Sequence, residues 1–158
     1  MDYSIFEEAV HVKKQKETNQ ERMERIIKSV FVQKVESTQQ INDMLGAEFC
    51  DCSAKEKTLT LEFMVQDWMS NPSGVLHGGL LSTAADVTMG LLARYCKQSN
   101  DVVTVQLSVD FLRAIKKETK FKICAKAEKV GRRVLFINAK VVDSESGNLA
   151  GDVTAVFM

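Results

Sequence analysis

NPSGVLHGGLLSTAADVTMGLLARYC, residues 71–96, begins with turn formers around the chain's only proline, Pro72, and continues into an almost unbroken apolar run. Gly78, Gly79, Ser82, Ala84, Ala85, Gly90 and Ala93 keep much of that run small, and Leu80, Leu81, Val87, Leu91 and Leu92 surround them. A helix that is apolar nearly all round is expected to be buried. Small side chains let a sheet or a second helix approach it closely. The run is too short to span a bilayer and carries Asp86 at its middle. Polar residues 97–101 (KQSND) close it with a solvated loop.

Period-two patterns flank this helix on both sides. Leu59, Leu61, Phe63 and Val65 alternate with Thr58, Thr60, Glu62 and Met64, which predicts a strand with one buried face. Cys50 and Cys52 before it suit a short paired strand. After the helix, Val103 to Phe111 alternates strictly, and so do Phe121 to Ala127. Val134 to Val142 reads as a strand apolar on both faces, and Leu149 to Met158 follows a turn at 144–148. Such short connections call for antiparallel hairpins. One curved sheet wrapped around one long helix buries both elements, so the fold class is α+β. Upstream, residues 1–45 are polar and lack glycine, and Met23, Ile26, Ile27, Val30 and Phe31 recur at helical spacing. The expected division is an N-terminal helical extension over 1–45 and a globular domain over 46–158. The apolar stripe of the extension must cover either its own subunit or a neighbour.

A length of 158 residues suits one hydrophobic core. Lys and Arg number 21 against 21 Asp and Glu, so no net field points to nucleic acid or a membrane surface. The first residues, MDYSIFEEAVHVKKQ, lack the charged start and apolar core of a secretory signal, and a cytoplasmic location is expected. Cys50, Cys52, Cys96 and Cys124 include one C-x-C pair, and the only histidines are His11 and His77. That is too few well-spaced ligands for zinc, so reduced thiols and no metal are expected.

Two features carry chemistry. Asp86 is the only formally charged side chain between His77 and Arg94. An isolated carboxylate on a buried helix costs several kcal/mol unless it is paired, hydrated or protonated. It is either an active-site carboxylate or a structural one bonded to a neighbour. The second feature, Gly74-Val75-Leu76-His77-Gly78-Gly79, puts free backbone N–H groups at a helix start, where a developing oxyanion can be held. Asp86 lies nine residues past His77, or about 13 Å along the helix axis. One helix cannot bring both features to one carbonyl, so a shared site between two subunits is expected.

The run N-P-S-G-V-L-H-G-G-L-L-S-T-A-A-D resembles the helix-start signature of hot-dog thioesterases of the phenylacetate-pathway and acyl-CoA thioesterase thirteen type. V-T-V-Q-L-S-V-D-F-L-R-A and K-V-G-R-R-V-L-F extend the resemblance over about Phe49 to Met158. It implies a hot-dog fold and hydrolysis of an acyl-CoA thioester, with no cofactor. It also implies that Asp86 is general base or nucleophile and that Asn71 holds the water or thioester. The Gly78 amide, with His77 beside it, would polarise the carbonyl, and Thr104, where the family often has serine, would steady the attacking water. Homodimers, or tetramers made from two of them, would share these residues between subunits. Arg113, Arg132 and Arg133, with Lys116, are candidate contacts for the polyanionic coenzyme A. A non-catalytic acyl-CoA sensor would dispense with Asp86, Asn71 and Thr104. A hot-dog dehydratase or hydratase would depend on a catalytic histidine, for which His77 is the candidate.

Overall fold

The computed structural model describes residues 3–12, 17–31 and 40–158. Parts of the expected 1–45 extension, at 1–2, 13–16 and 32–39, lie outside the described residues. The central element is α4, Gly78–Lys97, 20 residues and therefore about 30 Å long. Around it run β1 (Glu48–Ser53), β2 (Thr58–Met64), β3 (Thr104–Phe111), β4 (Lys120–Val130), β5 (Leu135–Asp143) and β6 (Leu149–Phe157). They form one six-stranded sheet in the order β1-β2-β4-β5-β6-β3, with every pair antiparallel. This is the hot-dog arrangement: α4 lies against β2 through β6 on one face of the sheet.

The alternation in sequence explains the packing. Leu59, Leu61 and Phe63 of β2, Phe121 and Ile123 of β4, and Leu135, Ile137 and Val141 of β5 are buried against the helix. Phe63 and Phe121 are neighbours in the register and stack with ring centroids 5.3 Å apart. On α4, Ala84, Ala85, Gly90 and Ala93 are buried, as the small-residue pattern requires. A Cβ at Gly90 would stand 3.1 Å from the Arg94 guanidinium and 3.7 Å from the Phe157 ring. A larger residue there would have to displace the Arg94 side chain of the same helix, while the Phe157 ring of the sheet stands at ordinary contact distance.

Two strands depart from the sequence expectation. β5 is not apolar on both faces, because its burial alternates and Phe136 is 42% exposed on the outer side. β3 alternates in sequence, yet Val103, Val105 and Phe111 are each more than half exposed. The physical reasons are position and register: β3 is an edge strand whose pairing with β6 shifts between Thr104 and Gln106, and only Leu107 and Val109 pack onto the core.

The N-terminal residues form α1 (Tyr3–His11), α2 (Asn19–Ser29) and the short α3 (Ile41–Met44). α2 starts at a capping box, in which the Glu21 amide donates to the Thr18 hydroxyl and the Thr18 amide to the Glu21 carboxylate. Met23, Ile26, Ile27 and Val30 are buried, and α2 packs on β1 and α4 of its own chain. Arg25 donates to the carbonyls of Ala9 and Val12, and Arg22 to that of Val10, satisfying the unpaired C-terminal end of α1. No helix among the described residues is long and apolar enough to cross a membrane.

Candidate active site

The approach to α4 is a loop closed on itself. The His77 amide donates to the Met69 carbonyl at 2.8 Å, the Asn71 amide to Val75 at 2.8 Å, and the Gly74 amide to Asn71 at 2.9 Å. Gly74 has φ +72°, a left-handed conformation that a Cβ would strain. The Asn71 side-chain oxygen accepts from the amides of Ser73 (2.9 Å) and Val75 (3.4 Å). Its carbonyl end is thus committed to the turn, and the side-chain NH2 group is the end with hydrogens to donate.

His77 is the N-cap of α4, and its Nδ1 accepts from the Gly79 amide at 3.0 Å. The next amides, those of Leu80 and Leu81, bond to the His77 carbonyl. No acceptor among the described residues takes the Gly78 N–H. The first amide of the helix is therefore an available donor at the positive end of the helix dipole.

Asp86 lies eight residues beyond Gly78, about 12 Å along the axis, and is half-buried. The Thr104 hydroxyl donates to Asp86 Oδ1 at 2.6 Å. No other described side chain hydrogen-bonds to the carboxylate, so the helix carries a paired, water-accessible acid. This resolves the cost of placing a charge on an apolar helix. The contact joins two of the residues singled out from sequence, and both belong to one chain.

β3 connects the two stations. Its first residue, Thr104, touches Asp86, and the ring of its last, Phe111, lies against Gly78. The Phe111 Cζ is 3.1 Å from where a Cβ on Gly78 would be. Over those eight residues the strand covers about 23 Å, so one chain keeps its acid and its free amide well apart. A cavity of about 320 Å3 opens beside Gly78, lined by Leu76, Leu81, Phe111, Leu112 and Ile115, with Arg113 at its exposed rim. Phe111 was not singled out in the sequence. Its only signal was a place at the end of the alternating strand, where a core role was the natural assumption.

The basic candidates separate into two groups. Arg113 and Lys116 sit on the loop after β3, which is tied to the helix approach by Val75–Lys116 bridging and by the Leu76 amide bonding to Ile115. Arg132 and Arg133 are exposed in the β4–β5 turn at the other end of α4, where Lys97 donates to the carbonyls of Gly131 and Arg132. All four cysteines are free thiols, and burial pushes those of Cys52 and Cys96 up to about 11. Among the described residues no group of three potential metal ligands comes together.

Comparison with known proteins agrees with this architecture. Residues 73–150 match the model of the thioesterase superfamily. The protein PA0474 of Pseudomonas aeruginosa is 30% identical over 116 residues, covering 73% of this chain and 84% of that protein. The acyl-coenzyme A thioesterase THEM4 of Xenopus laevis is 29% identical over 73% of this chain, which spans about half (52%) of that relative. Among solved structures, zebrafish thioesterase superfamily member 2 superposes with a TM-score of 0.70 at 18% identity, over 89% of this chain and 97% of that one.

Proposed function

From the premise that this chain belongs to the thioesterase superfamily and is a thioester hydrolase, we propose that it cleaves acyl-CoA to free acid and coenzyme A, with Asp86 as the central carboxylate. The observation that carries this reading is the pairing of Asp86 with the Thr104 hydroxyl at 2.6 Å, on the same helix as a free Gly78 amide. A thioester carbonyl at Gly78 would gain negative charge during attack, and the amide dipole there stabilises it. Asp86 takes a proton from water as the water oxygen bonds to the carbonyl carbon. The tetrahedral intermediate then expels the CoA thiolate, which is reprotonated, leaving the carboxylic acid. Direct attack by Asp86 through an anhydride, hydrolysed by water in a second step, meets the same geometry. Thr104 fixes the carboxylate, and the Asn71 NH2 group donates to the water or the thioester oxygen. His77 serves as the cap that aims the Gly78 N–H.

The 12 Å between Gly78 and Asp86 requires two subunits. Antiparallel pairing of two β3 edges, Thr104 of one opposite Phe111 of its partner, puts one chain's Asp86 beside the other's Gly78. Each dimer then holds two equivalent sites, and a tetramer follows by pairing of dimers. Arg132 and Arg133 would belong to the subunit that supplies Asp86, at the end of α4 some eleven residues or about 16 Å further on. Arg113 and Lys116 would come from the subunit that supplies Gly78. Both groups would face the phosphates of CoA.

Thiol release from a panel of acyl-CoAs tests the reading on wild type and on Asp86→Asn. Wild type is expected to turn over, and the variant to lose at least about a hundredfold in kcat while keeping its melting temperature. Binding of acyl-CoA without turnover by wild type would replace the enzyme with a sensor. Equal activity in Asp86→Asn would remove the carboxylate from the mechanism.

A further inference from the structure

α4 carries two formal charges ahead of Lys97, Asp86 and Arg94, with Gly90 four residues from each. Residues four apart lie on one ridge of a helix. Arg94 is partly buried, and its guanidinium folds back along that ridge: Nη1 is 3.1 Å from where a Cβ on Gly90 would be. A cation serving the C-terminal end of a helix reaches forward to the last carbonyls. Lys97 does reach forward, to the carbonyls of Gly131 and Arg132, whereas Arg94 points toward Asp86. The Phe157 ring, 3.7 Å from the same Gly90 position, belongs to the register partner of Thr104, which holds Asp86. Side chains four apart have Cβ atoms about 5–6 Å apart, so the guanidinium lies within roughly 9 Å of the Asp86 Cβ. The carboxylate itself bonds to Thr104, not to Arg94.

Thioester hydrolysis creates two anions in turn. Attack puts negative charge on the carbonyl oxygen, which the Gly78 amide can hold. Collapse of the intermediate then breaks the C–S bond, its electron pair goes to sulfur, and the amide does not follow it there. On the thioesterase reading of this site, we propose that Arg94 is a further catalytic residue, whose guanidinium faces the sulfur and stabilises the departing thiolate. One water between Asp86 and the carbonyl carbon places the sulfur within about 7 Å of the carboxylate, in the space toward which Arg94 folds. Arg132 and Arg133 lie beyond Arg94 at the same end of α4, so the guanidinium stands on the CoA side of the carbonyl carbon. An arginine keeps its protons at neutral pH and acts here as a fixed positive charge. The proton that Asp86 took from water passes to the thiolate, which leaves thiol, carboxylic acid and the original carboxylate. Glycine at 90 is what leaves the guanidinium this position, since a methyl group would push it aside.

The test compares two esters without CoA phosphates, S-butyryl-N-acetylcysteamine and S-butyryl-4-nitrothiophenol, together with butyryl-CoA. The nitrothiophenol is far more acidic and leaves without help. Arg94→Gln should lower kcat on butyryl-CoA and on the cysteamine ester by about a hundredfold, and leave the nitrothiophenyl ester near wild type. Arg94→Lys should recover part of the loss. Gly90→Ala, a helix-favouring change, should show the same pattern at smaller size. Equal losses on all three substrates, or none, overturn the proposal and leave the thioesterase reading standing. A loss confined to butyryl-CoA also overturns it, because Arg94 would then bind the phosphates. Circular dichroism checks folding; should Arg94→Gln not fold, a wild-type rate for Gly90→Ala on every substrate overturns the proposal. A wild type that releases no thiol from any of them removes the reading of the site and this proposal with it.

Discussion

At the β1 edge of the sheet, Gln20 of α2 donates to the Cys52 carbonyl at 2.7 Å and accepts from the Ala54 amide at 2.9 Å, while Met23, Ile26 and Ile27 are buried beneath it. At the β3 edge nothing of the kind exists among the described residues, and Val103 and Val105 are 60% and 58% exposed. An edge strand with bare apolar side chains is a template for pairing with another chain. The chain has thus finished one edge with its own N-terminal helices and left the other for something outside itself. The unfinished edge is also the one whose two ends touch Asp86 and Gly78. Stability is concentrated at the first edge and the proposed chemistry at the second.

The sharpest way to break this comparison is to charge the bare edge. Val103→Glu with Val105→Glu removes no buried contact within the chain, so the fold is expected to survive with a stability change of about 0.5 kcal/mol per site. In the proposed register Val105 faces the partner's Asp110, so Val105→Glu sets like charges opposite each other, which is destabilising. On the proposed pairing, sedimentation should show dimers falling to monomers, and thiol release should fall at least about tenfold, since each proposed site loses half its residues. An intact oligomer with full activity would move the subunit interface elsewhere and leave the 12 Å separation unexplained.

The difference between the edges also decides what the sequence could reveal. Asp86 stood out in the sequence as the one formal charge between His77 and Arg94 in an apolar helix, and the Gly78–Gly79 start stood out because helix termini have a known polarity; the roles given to both are proposals. The helix with its flanking strands was equally plain, since period-two alternation and a long apolar run leave little choice of fold. Alternation reports which side chains share a face, not which strand ends the sheet. Val103, Val105 and Phe111 therefore looked like core residues and are surface residues, because β3 follows α4 in sequence but pairs only with β6. The Thr104–Asp86 contact depends on strand order and helix tilt, which no local pattern carries. The resemblance to hot-dog thioesterases named both residues. Phe111 was not singled out because the contact of its ring with Gly78 is a tertiary fact.

A smaller effect on activity is expected from damage to the finished edge. Ile26 is fully buried between α2 and the body, and Ile26→Ala should lower unfolding stability by about 2–5 kcal/mol, read as a fall in the urea midpoint. Activity per folded molecule should stay near wild type, because α2 packs on β1 and α4 and contributes no residue to the site. A stable Ile26→Ala protein that has lost activity would tie the N-terminal helices to catalysis and end the division of labour between the edges.

The smallest effect should come from the start of α2. The Thr18 hydroxyl accepts from the Glu21 amide at 3.2 Å and donates to the Glu21 carboxylate at 2.8 Å. The Thr18 backbone amide, which also donates to that carboxylate, and then the Thr18 hydroxyl hold the Glu21 carboxyl below its usual value. Thr18→Ala leaves the helix amide without its cap and should cost about 1 kcal/mol. The folded-state pKa of Glu21 is depressed, so its share of stability is present at neutral pH and is lost as pH falls through that lowered value. Thr18→Ala should therefore narrow the gap in stability between pH 7 and acid, measured by thermal melts across that range. A gap unchanged by the substitution would mean that the Thr18 backbone amide alone holds the Glu21 carboxyl down and that the hydroxyl adds nothing to the pH dependence.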